Sequence, residues 1–350
     1  MTDGKVTSLQ VAERAGVSQS AVSRVFTPGA SVSAKTAEKV RKAAAELGYR
    51  PNVLARAMVS GKSRIIGLLV AYLDNHFYPE ALEILSNRLQ ERGYHVLIFM
   101  ASQTAGNIDS VMEEILDYQV DGIVMASVAM SSEISTRCQQ AGVPVVLFNR
   151  SQDIDGITSV TSDNYAGGRK LAEFLIAGGH QRIGYIAGWE GASTQRDREA
   201  GFRAALQDAG RSLHARDVGD FHTESARDAA RRMFDQAAER RPDAVFVAND
   251  HMALAVMDVI RFELGLRIPE DVSVVGYDDV PPASWLTYNL TTMRQRANLM
   301  VDETVSALLD HIADPNTPAR RVAIDGPLIV RGSARLPRSW TPNGQQKDDK

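Results

Sequence analysis

The 350-residue sequence predicts a small all-α domain at the N-terminus, followed by a larger α/β body of two doubly wound parallel-sheet lobes. Short helical segments with their own capping residues fill positions 1–50, whereas apolar strands alternate with amphipathic helices from residue 64 onward. Strict βαβα alternation with apolar strands is typical of parallel sheets covered by helices on both faces. The strands extend over about 270 residues, more than one core holds, which favours two lobes.

Charge is distributed unevenly along the chain. Residues 1–60 hold nine Lys or Arg against four Asp or Glu, whereas the remaining residues hold 30 basic and 39 acidic side chains. A basic head on an acidic body indicates a polyanionic partner for the head; the alternative is a basic face without any partner.

Composition also limits the cellular compartment in which we expect the protein and the kinds of cross-link or metal site that it can form. Cys138 is the only cysteine, which excludes an intramolecular disulfide and a Cys-based zinc site. The sequence has no apolar run of membrane-spanning length and no apolar core of a secretory signal near Met1. We therefore expect a cytoplasmic protein without a membrane partner.

Capping residues mark three helices in the head. A hydroxyl side chain precedes each one, and glycine ends the first and the third. Two short helices around a tight turn, supported by a third, predict a helix-turn-helix domain; a small protein-docking bundle is the alternative. The predicted helices cover 9–15, 19–26 and 34–47, with Thr7 (in a capping box with Gln10), Ser18 and Ser33 as N-caps, and Gly16 and Gly48 at the ends.

The second helix would place its polar side chains in the major groove of DNA. Arg pairs with guanine and Gln with adenine through two hydrogen bonds, while hydroxyls and amides at helix starts favour phosphate. The candidate base-reading residues are Gln19, Ser20, Ser23 and Arg24, and the candidate phosphate contacts are Ser18, Ser33, Lys35 and Thr36.

The segment "VAERAGVSQSAVSRVF…VSAKTAEKVRKAAAELGYRPN" resembles the DNA-binding head of the LacI/GalR family of bacterial transcription regulators. The A-G-V-S…V-S-R-V core, the V-S-x-x-T start of the third helix and the L-G-Y-x-P-N exit carry the resemblance. Ala21 departs from it, since the family usually has Thr there, which leaves one phosphate or packing contact in doubt.

The resemblance also implies a hinge helix in the linker 51–63 that becomes ordered on specific DNA. Met58, where most relatives have Leu, would be the apolar wedge between central base steps. The hinge residues expected at the minor groove are Asn52, Ala55, Arg56 and Met58.

The resemblance covers the body too and implies an α/β periplasmic-binding-protein-like core of two doubly wound parallel-sheet lobes over residues 64–335, with a ligand between the lobes. By this analogy the first lobe is about 64–162 plus 294–320, and the second about 163–293 plus 321–335. The polar tail 336–350 is predicted to be disordered.

Polar and aromatic residues follow several predicted strands of the body. Ligands of open α/β sheets bind beyond the carboxyl ends of the strands, and carboxylates, amides and rings suit a polyhydroxylated ligand. Arg196 and Gln295 are as consistent with a surface position, and Asp279 is expected only to cap a loop. Position and resemblance together give the candidate effector residues Phe77, Tyr78, Asp163, Arg196, Arg198, Phe221, Asn249, Asp278 and Gln295.

Catalytic motifs are missing from the sequence. "GYIAGWEGAST" has neither G-x-G-x-x-G nor the Lys of a P-loop, the seven histidines form no H-E-x-x-H, and no G-x-S-x-G occurs. We therefore expect a protein that is not an enzyme and holds no metal or cofactor.

The resemblance implies a homodimeric regulator, in the first place a repressor of a carbohydrate-catabolism operon. It would bind a pseudo-palindromic operator, associate with the nucleoid when bound, and respond to a sugar or sugar derivative. A nucleobase or acidic sugar acting as co-repressor, an activator and a ligand-independent regulator remain alternatives. A solute-binding protein of the same core fold is disfavoured by the missing signal.

Overall fold

The computed structural model describes residues 6–27, 30–50, 62–101, 105–128, 131–152, 156–338 and 340. The chain divides into a helical N-terminal unit and an α/β unit. No helix within these ranges is both long enough and apolar enough to cross a membrane.

Three helices form the N-terminal unit: α1 (Ser8–Ala15), α2 (Gln19–Val25) and α3 (Ala34–Leu47). Their core is built around Val11, Val22 and Val40, which are almost fully buried. The predicted helices are confirmed, although the first begins one residue earlier and the second ends one residue earlier than predicted. The side chains of Thr7, Ser18 and Ser33 accept hydrogen bonds from first-turn amides, while Gly16 and Gly48 adopt left-handed backbone conformations.

Two sheets form the core of the α/β unit, and neighbouring strands in each are parallel except for the pair β10–β12. The first sheet has the order β11-β5-β4-β3-β1-β2 and the second β12-β10-β9-β8-β6-β7. The first sheet contains β1 (Ile65–Val70), β2 (His95–Met100), β3 (Gly122–Ala126), β4 (Val145–Phe148), β5 (Thr158–Ser162) and β11 (Arg321–Ile324); the second contains β6 (Ile183–Ala187), β7 (Ala215–Val218), β8 (Ala244–Val247), β9 (Ser273–Asp278), β10 (Thr291–Arg294) and β12 (Leu328–Ile329).

Helices follow most of these strands, as the βαβα pattern predicts. The helices of the first lobe are α4 (Phe77–Glu91), α5 (Ala105–Asp117), α6 (Ser132–Ala141) and α11 (Ala297–Ala313). Those of the second are α7 (Asn164–Ala177), α8 (Ser193–Asp208), α9 (Thr223–Phe234) and α10 (Asp250–Asp258), which a π-helical turn, Val259–Glu263, extends. A short 3-10 turn covers Pro281–Ser284.

The last strands correct the predicted lobe boundaries. The run 320–330 is not one strand but two, because β11 pairs with β5 in the first sheet and β12 with β10 in the second. Assignment of residues 321–324 to the second lobe is therefore wrong. Strands β7 and β10 were not predicted from the sequence, because "ARDV" and "TTMR" carry charged or hydroxyl side chains where a buried strand usually has apolar ones.

Helices α7 and α8 pack very closely, which fixes the position of α8 in the second lobe. A Cβ atom at Gly168 would lie only 2.1 Å from the carbonyl oxygen of Arg198. A side chain at residue 168 would therefore push α8 away from α7, and the residues that α8 presents at its N-terminal half would move with it.

Candidate functional site

The exposed face of α2 carries the four candidate base-reading residues. Val22 is 1% exposed and fixes the helix on the head, whereas Gln19, Ser20, Ser23 and Arg24 are all exposed. The Gln19 Nε2 atom donates to the Ser8 hydroxyl at 2.9 Å, and Arg24 Nε donates to the Ser20 carbonyl at 3.4 Å. This face combines amide, hydroxyl and guanidinium donors, which are the groups that read base edges.

The candidate phosphate contacts lie at the starts of α2 and α3. Ser18 and Ser33 use their hydroxyl oxygens as N-caps, at 3.2 Å from the amide nitrogens of Ala21 and Thr36. The Ser33 and Thr36 hydroxyls also lie 2.8 Å apart, and Lys35 beside them is exposed. Helix starts of this kind favour anions through unpaired amides and the helix dipole. The candidate hinge residues Asn52, Ala55, Arg56 and Met58 lie outside the described residues.

A polar cluster joins the two lobes of the body at the carboxyl ends of their strands. Asp278 ends β9 and is buried. Its Oδ2 atom accepts a hydrogen bond from Asn75 Nδ2 of the first lobe at 3.3 Å, and its Oδ1 atom accepts from Gln295 Nε2 at 2.7 Å. Strand register brings Gln295 there, because the preceding Arg294 lies opposite Asp278 on β10. The Gln295 Oε1 atom is buried, and no described residue donates a hydrogen bond to it.

Arg198 is the cationic member of this cluster. It is 2% exposed, and its Nη2 atom lies 3.4 Å from Asp278 Oδ1. Its Nε atom donates to Asn164 Oδ1 at 2.8 Å and its Nη1 atom to the Ala248 carbonyl at 2.6 Å. The guanidinium carbon also lies 3.7 Å from the centroid of the Tyr277 ring, a cation–π contact. These contacts fix the plane of the guanidinium before any ligand arrives.

Two buried carboxylates near each other carry shifted pKa values. Burial, followed by the neighbouring carboxylate of Asp278, raises the pKa of Asp250 to about 7. Burial also raises the pKa of Asp278, although Arg198 opposes that change. Asp250 accepts hydrogen bonds from the Thr292 hydroxyl at 2.6 Å and from the Val280 amide at 3.1 Å. The pair therefore resists holding two negative charges at neutral pH.

Aromatic rings lie beside the polar cluster. Phe77 stacks on Phe148 with centroids 6.1 Å apart, and the Tyr78 hydroxyl accepts a hydrogen bond from Asn149 Nδ2 at 3.1 Å. Phe221 of the second lobe has a left-handed backbone, with φ of 61°. A Cβ atom at Gly188 would lie 2.1 Å from its ring, so this glycine makes room for Phe221 and needs no phosphate-binding role.

Four residues considered in the sequence have other contacts. The Asp163 side chain caps α7 through the Ala166 amide at 2.9 Å, and Asn249 caps α10 through the Met252 amide at 3.0 Å. The Arg196 side chain is 58% exposed and pairs with Asp197. Asp279 accepts hydrogen bonds of 2.6 Å from Arg294 and Arg331. The structure thus does not bring Arg196 into the cluster, and Asp279 has a structural role in holding β10 and the final segment.

Sequence reasoning missed one buried cation at the same edge. Arg150 follows β4 and is 4% exposed. Its Nη1 atom donates to the Thr194 hydroxyl of the second lobe at 2.6 Å, and its Nη2 atom to the Ser127 hydroxyl of the first at 3.0 Å. The rule applied to other strand ends would have found it, since "VVLFNR" ends a buried strand with Asn149 and Arg150.

Metal binding has no support from the arrangement of side chains. Within the described ranges, no group of three or more His, Cys, Asp or Glu side chains is placed to hold a metal ion. The chemistry available at the lobe interface is hydrogen bonding, ion pairing and ring stacking.

Two family models match the chain. The model described as bacterial regulatory proteins, lacI family, matches residues 9–52, and the model for a periplasmic binding protein-like domain matches residues 172–334. The predicted combination of a helix-turn-helix head and a periplasmic-binding-protein-like core is thereby confirmed.

Relatives resemble the chain over nearly its full length. The ribose operon repressor of Escherichia coli (strain K12) is 32% identical over 336 residues, which are 94% of this chain and 99% of the relative. The structure of the lac repressor dimer bound to operator and the anti-inducer ONPF is 30% identical, with a TM-score of 0.84 over 94% of this chain and 99% of that one. The structure of the transcriptional regulator CelR–cellobiose complex is 32% identical, with a TM-score of 0.71; the match covers 94% of this chain and 100% of that one. The chain therefore belongs to the LacI/GalR family of DNA-binding bacterial transcription regulators.

Proposed function

We propose that this protein represses transcription by binding a pseudo-palindromic operator as a homodimer, and that a small polyhydroxylated ligand bound between the lobes controls its DNA affinity. The observation that carries the proposal is the polar cluster around Asp278, to which Asn75 of one lobe and Arg198 of the other both contribute. A ligand that replaces or bridges these cross-lobe contacts changes the balance between closed and open lobes.

The ligand class follows from the groups in the cluster. A carboxylate, two amides and a guanidinium offer paired acceptors and donors, which suit vicinal hydroxyls, and Phe77, Tyr78 and Phe221 supply apolar faces. The names of two relatives point the same way, since one represses a ribose operon and another was solved with cellobiose. A sugar or sugar derivative is therefore the proposed effector, and binding without catalysis is the proposed role of the site.

A dimer is proposed from exposed apolar side chains on the body. Ile98 and Met100 on the edge strand β2 are 53% and 50% exposed, and Trp285 and Leu286 of the second lobe are 57% and 96% exposed. Apolar side chains at this exposure mark a surface for a protein partner, and an unpaired strand edge adds to it. A second copy would also supply the second head that a palindromic operator requires. Because its partner is chromosomal DNA, we place the protein in the cytoplasm.

The DNA-binding half of the proposal is tested by selecting preferred duplexes from a random pool with the full-length protein. Fluorescence anisotropy then compares wild type with Arg24→Ala and with Arg14→Ala, a control whose guanidinium pairs with Glu46 at 2.7 Å. Arg24→Ala should weaken binding to the selected duplex about 10–100-fold, the range for losing one base contact, and leave salt-sensitive binding to random DNA. Equal losses in both variants would remove Arg24 from base reading.

The ligand half is tested by thermal denaturation of the same protein in the presence of neutral sugars, sugar acids, sugar phosphates and nucleobases. A ligand that binds only the native state raises its apparent stability. Arg198→Ala should abolish the response to the ligand that is found and keep affinity for the selected duplex; a variant that still responds normally would contradict the proposed site.

A further inference from the structure

Arg150 is a buried cation whose partners are all neutral. Its guanidinium donates to the hydroxyls of Ser127 and Thr194 and to the Asn149 carbonyl at 3.2 Å. Its Nε atom is buried and has no hydrogen-bond partner among the residues that the structure describes. No Asp or Glu among the described residues forms an ion pair with it, and Arg is charged at every physiological pH.

The other buried arginine of the lobe interface shows what is missing. Arg198 is as deeply buried, yet it has the carboxylate of Asp278 and the ring of Tyr277 as partners. A charge removed from water is unfavourable unless an opposite charge or a full set of hydrogen bonds replaces the water. For Arg150 the described residues supply hydroxyls, one carbonyl and the Phe221 ring at 5.9 Å, and no carboxylate among them pairs with it.

Arg150 lies at the junction of the two lobes, where it bonds side chains of both. Ser127 and Asn149 follow β3 and β4 of the first lobe, while Thr194 lies in the first turn of α8 in the second. The N-cap residue of that helix, Ala192, has no side chain that could cap it, so the helix dipole adds positive potential beside the guanidinium. The Ser151 amide donates to the Ser193 hydroxyl at 2.9 Å and reinforces the same junction.

Two polar groups at the lobe interface therefore differ in charge. Asp278, with Asn75 and Gln295, offers acceptors and amides, and its charge is already paired with Arg198. Arg150 and the start of α8 offer positive charge that no described carboxylate neutralises. A ligand that matches both groups has hydroxyl groups and one anionic group.

We propose that the effector is an anionic sugar derivative, a sugar phosphate or a sugar acid, whose phosphate or carboxylate binds Arg150. The assignment rests on the proposed effector site and narrows its ligand class. Guanidinium groups bind both anions through paired N–H donors, so the chemistry is shared and the two sources must be separated by experiment.

The test is isothermal titration of the full-length protein with matched pairs: ribose and ribose 5-phosphate, glucose and glucose 6-phosphate, glucose and gluconate, and galactose and galacturonate. We expect at least one anionic member to bind ten times or more tightly than its neutral parent, with a Kd that rises with salt. The phosphate and carboxylate members show which anion is preferred.

The substitution Arg150→Gln keeps an amide that can donate to Ser127 or Thr194 and removes the charge. It should weaken binding of the preferred anionic ligand at least tenfold and change binding of the neutral parent less than threefold. Arg137→Gln is the matched control, because Arg137 lies on the surface of the same lobe and pairs with Glu113. It should leave both affinities unchanged.

The outcomes separate the two proposals. Neutral members that bind as tightly as their anionic partners in every pair would overturn the role of Arg150 and leave the effector site standing, as would equal losses for both members in Arg150→Gln. No binding by any member of the set would count against the effector site itself, and the anion assignment would fall with it. If Arg150→Gln does not fold, the wild-type preference alone decides.

Discussion

The two lobes share one strand order but differ at their outer edges. The outer edge of the first sheet is β2, which pairs with β1, the first strand of that lobe. The outer edge of the second sheet is β7, which pairs with β6, the first strand of that lobe. Strand β2 exposes Ile98 and Met100, whereas on β7 Arg216 pairs with Glu199 at 2.8 Å and Asp217 with Arg232 at 2.8 Å. Charged side chains on an edge oppose strand pairing with another chain, and apolar ones favour association. The first lobe thus offers a surface for a second copy, and the second lobe protects its edge.

The lobes also differ at their inner edges. The second lobe contributes Arg198 and Asp278, which neutralise each other, while the first contributes Arg150, whose partners in the described part of the chain are neutral. The buried ion pair of the second lobe is therefore complete, whereas no described carboxylate neutralises the charge of Arg150 in the first lobe. We interpret this as a division of work: the second lobe orients a ligand, and the first lobe selects its charge.

The largest expected effect comes from making the edge of the first lobe resemble that of the second. Ile98→Glu combined with Met100→Glu should raise the Kd of the proposed dimer roughly a thousandfold, about 4 kcal/mol, because association would bury two carboxylates of each subunit. Sedimentation equilibrium measures the Kd, and circular dichroism checks that the body is folded. A dimer of unchanged affinity would remove β2 from the interface.

Breaking the ionic network of the second lobe should have the next largest effect. Arg198→Met leaves Asp278 buried without its cation, and we expect the free energy of unfolding to fall by about 3–4 kcal/mol at neutral pH, as for other broken buried pairs. Urea titration measures the loss, which should shrink at lower pH because Asp278 can then fold as the neutral acid. A loss that does not vary with pH would contradict the role of its charge.

The pKa of Asp250 predicts a pH-dependent effect in the same lobe. Its folded-state pKa, about 7, lies above the ordinary value of 3.8, so its contribution to stability is complete below about pH 4 and is lost as pH rises through 7. Asp250→Asn stays neutral and avoids that loss. Relative to wild type, the variant should gain on the order of 4 kcal/mol between pH 4 and pH 8 in urea titrations. Parallel pH profiles for the two proteins would contradict the shifted pKa.

The smallest effect is expected at the protected edge. Arg232→Ala removes the pair with Asp217, in which the Arg232 side chain is 57% exposed, and the free energy of unfolding should fall by less than about 1 kcal/mol. The dimer Kd should stay the same. A rise in Kd comparable to that of the β2 variant would mean that both edges, rather than one, contact the second copy.

Local signals predicted the head almost completely. Thr7, Ser18 and Ser33 cap the three helices, and Gly16 and Gly48 end two of them, because a cap is settled by residues within one turn of each other. The body was predicted less completely. The sequence does not predict strands β7 and β10, or the division of 320–330 into two strands. Each of these strands forms by pairing with a strand far away in the sequence, and neighbouring residues carry no information about that pairing.

The lobe interface was predicted in part for the same reason. The rule that ligands lie beyond strand ends selected Asp278 and Arg198, which the structure brings together with Gln295. The rule could not show that Asp163 and Asn249 use their side chains as helix caps. The same rule also points to Arg150, which follows the end of β4. Contacts between residues far apart in the chain, such as Asn75 with Asp278, required coordinates.

The late position of β11 affects how the protein is made. Its partner β5 ends at Ser162, yet β11 begins only at Arg321, after all strands of the second lobe except β12. Helix α11, which packs on β3, β4 and β5, also comes late in the chain. At a synthesis rate of roughly 5–20 residues per second, the first sheet waits on the order of 10–30 seconds for its last strand and for the helix that covers it. During that interval the nascent first lobe displays an open strand edge and an uncovered apolar face to the crowded surface of the ribosome.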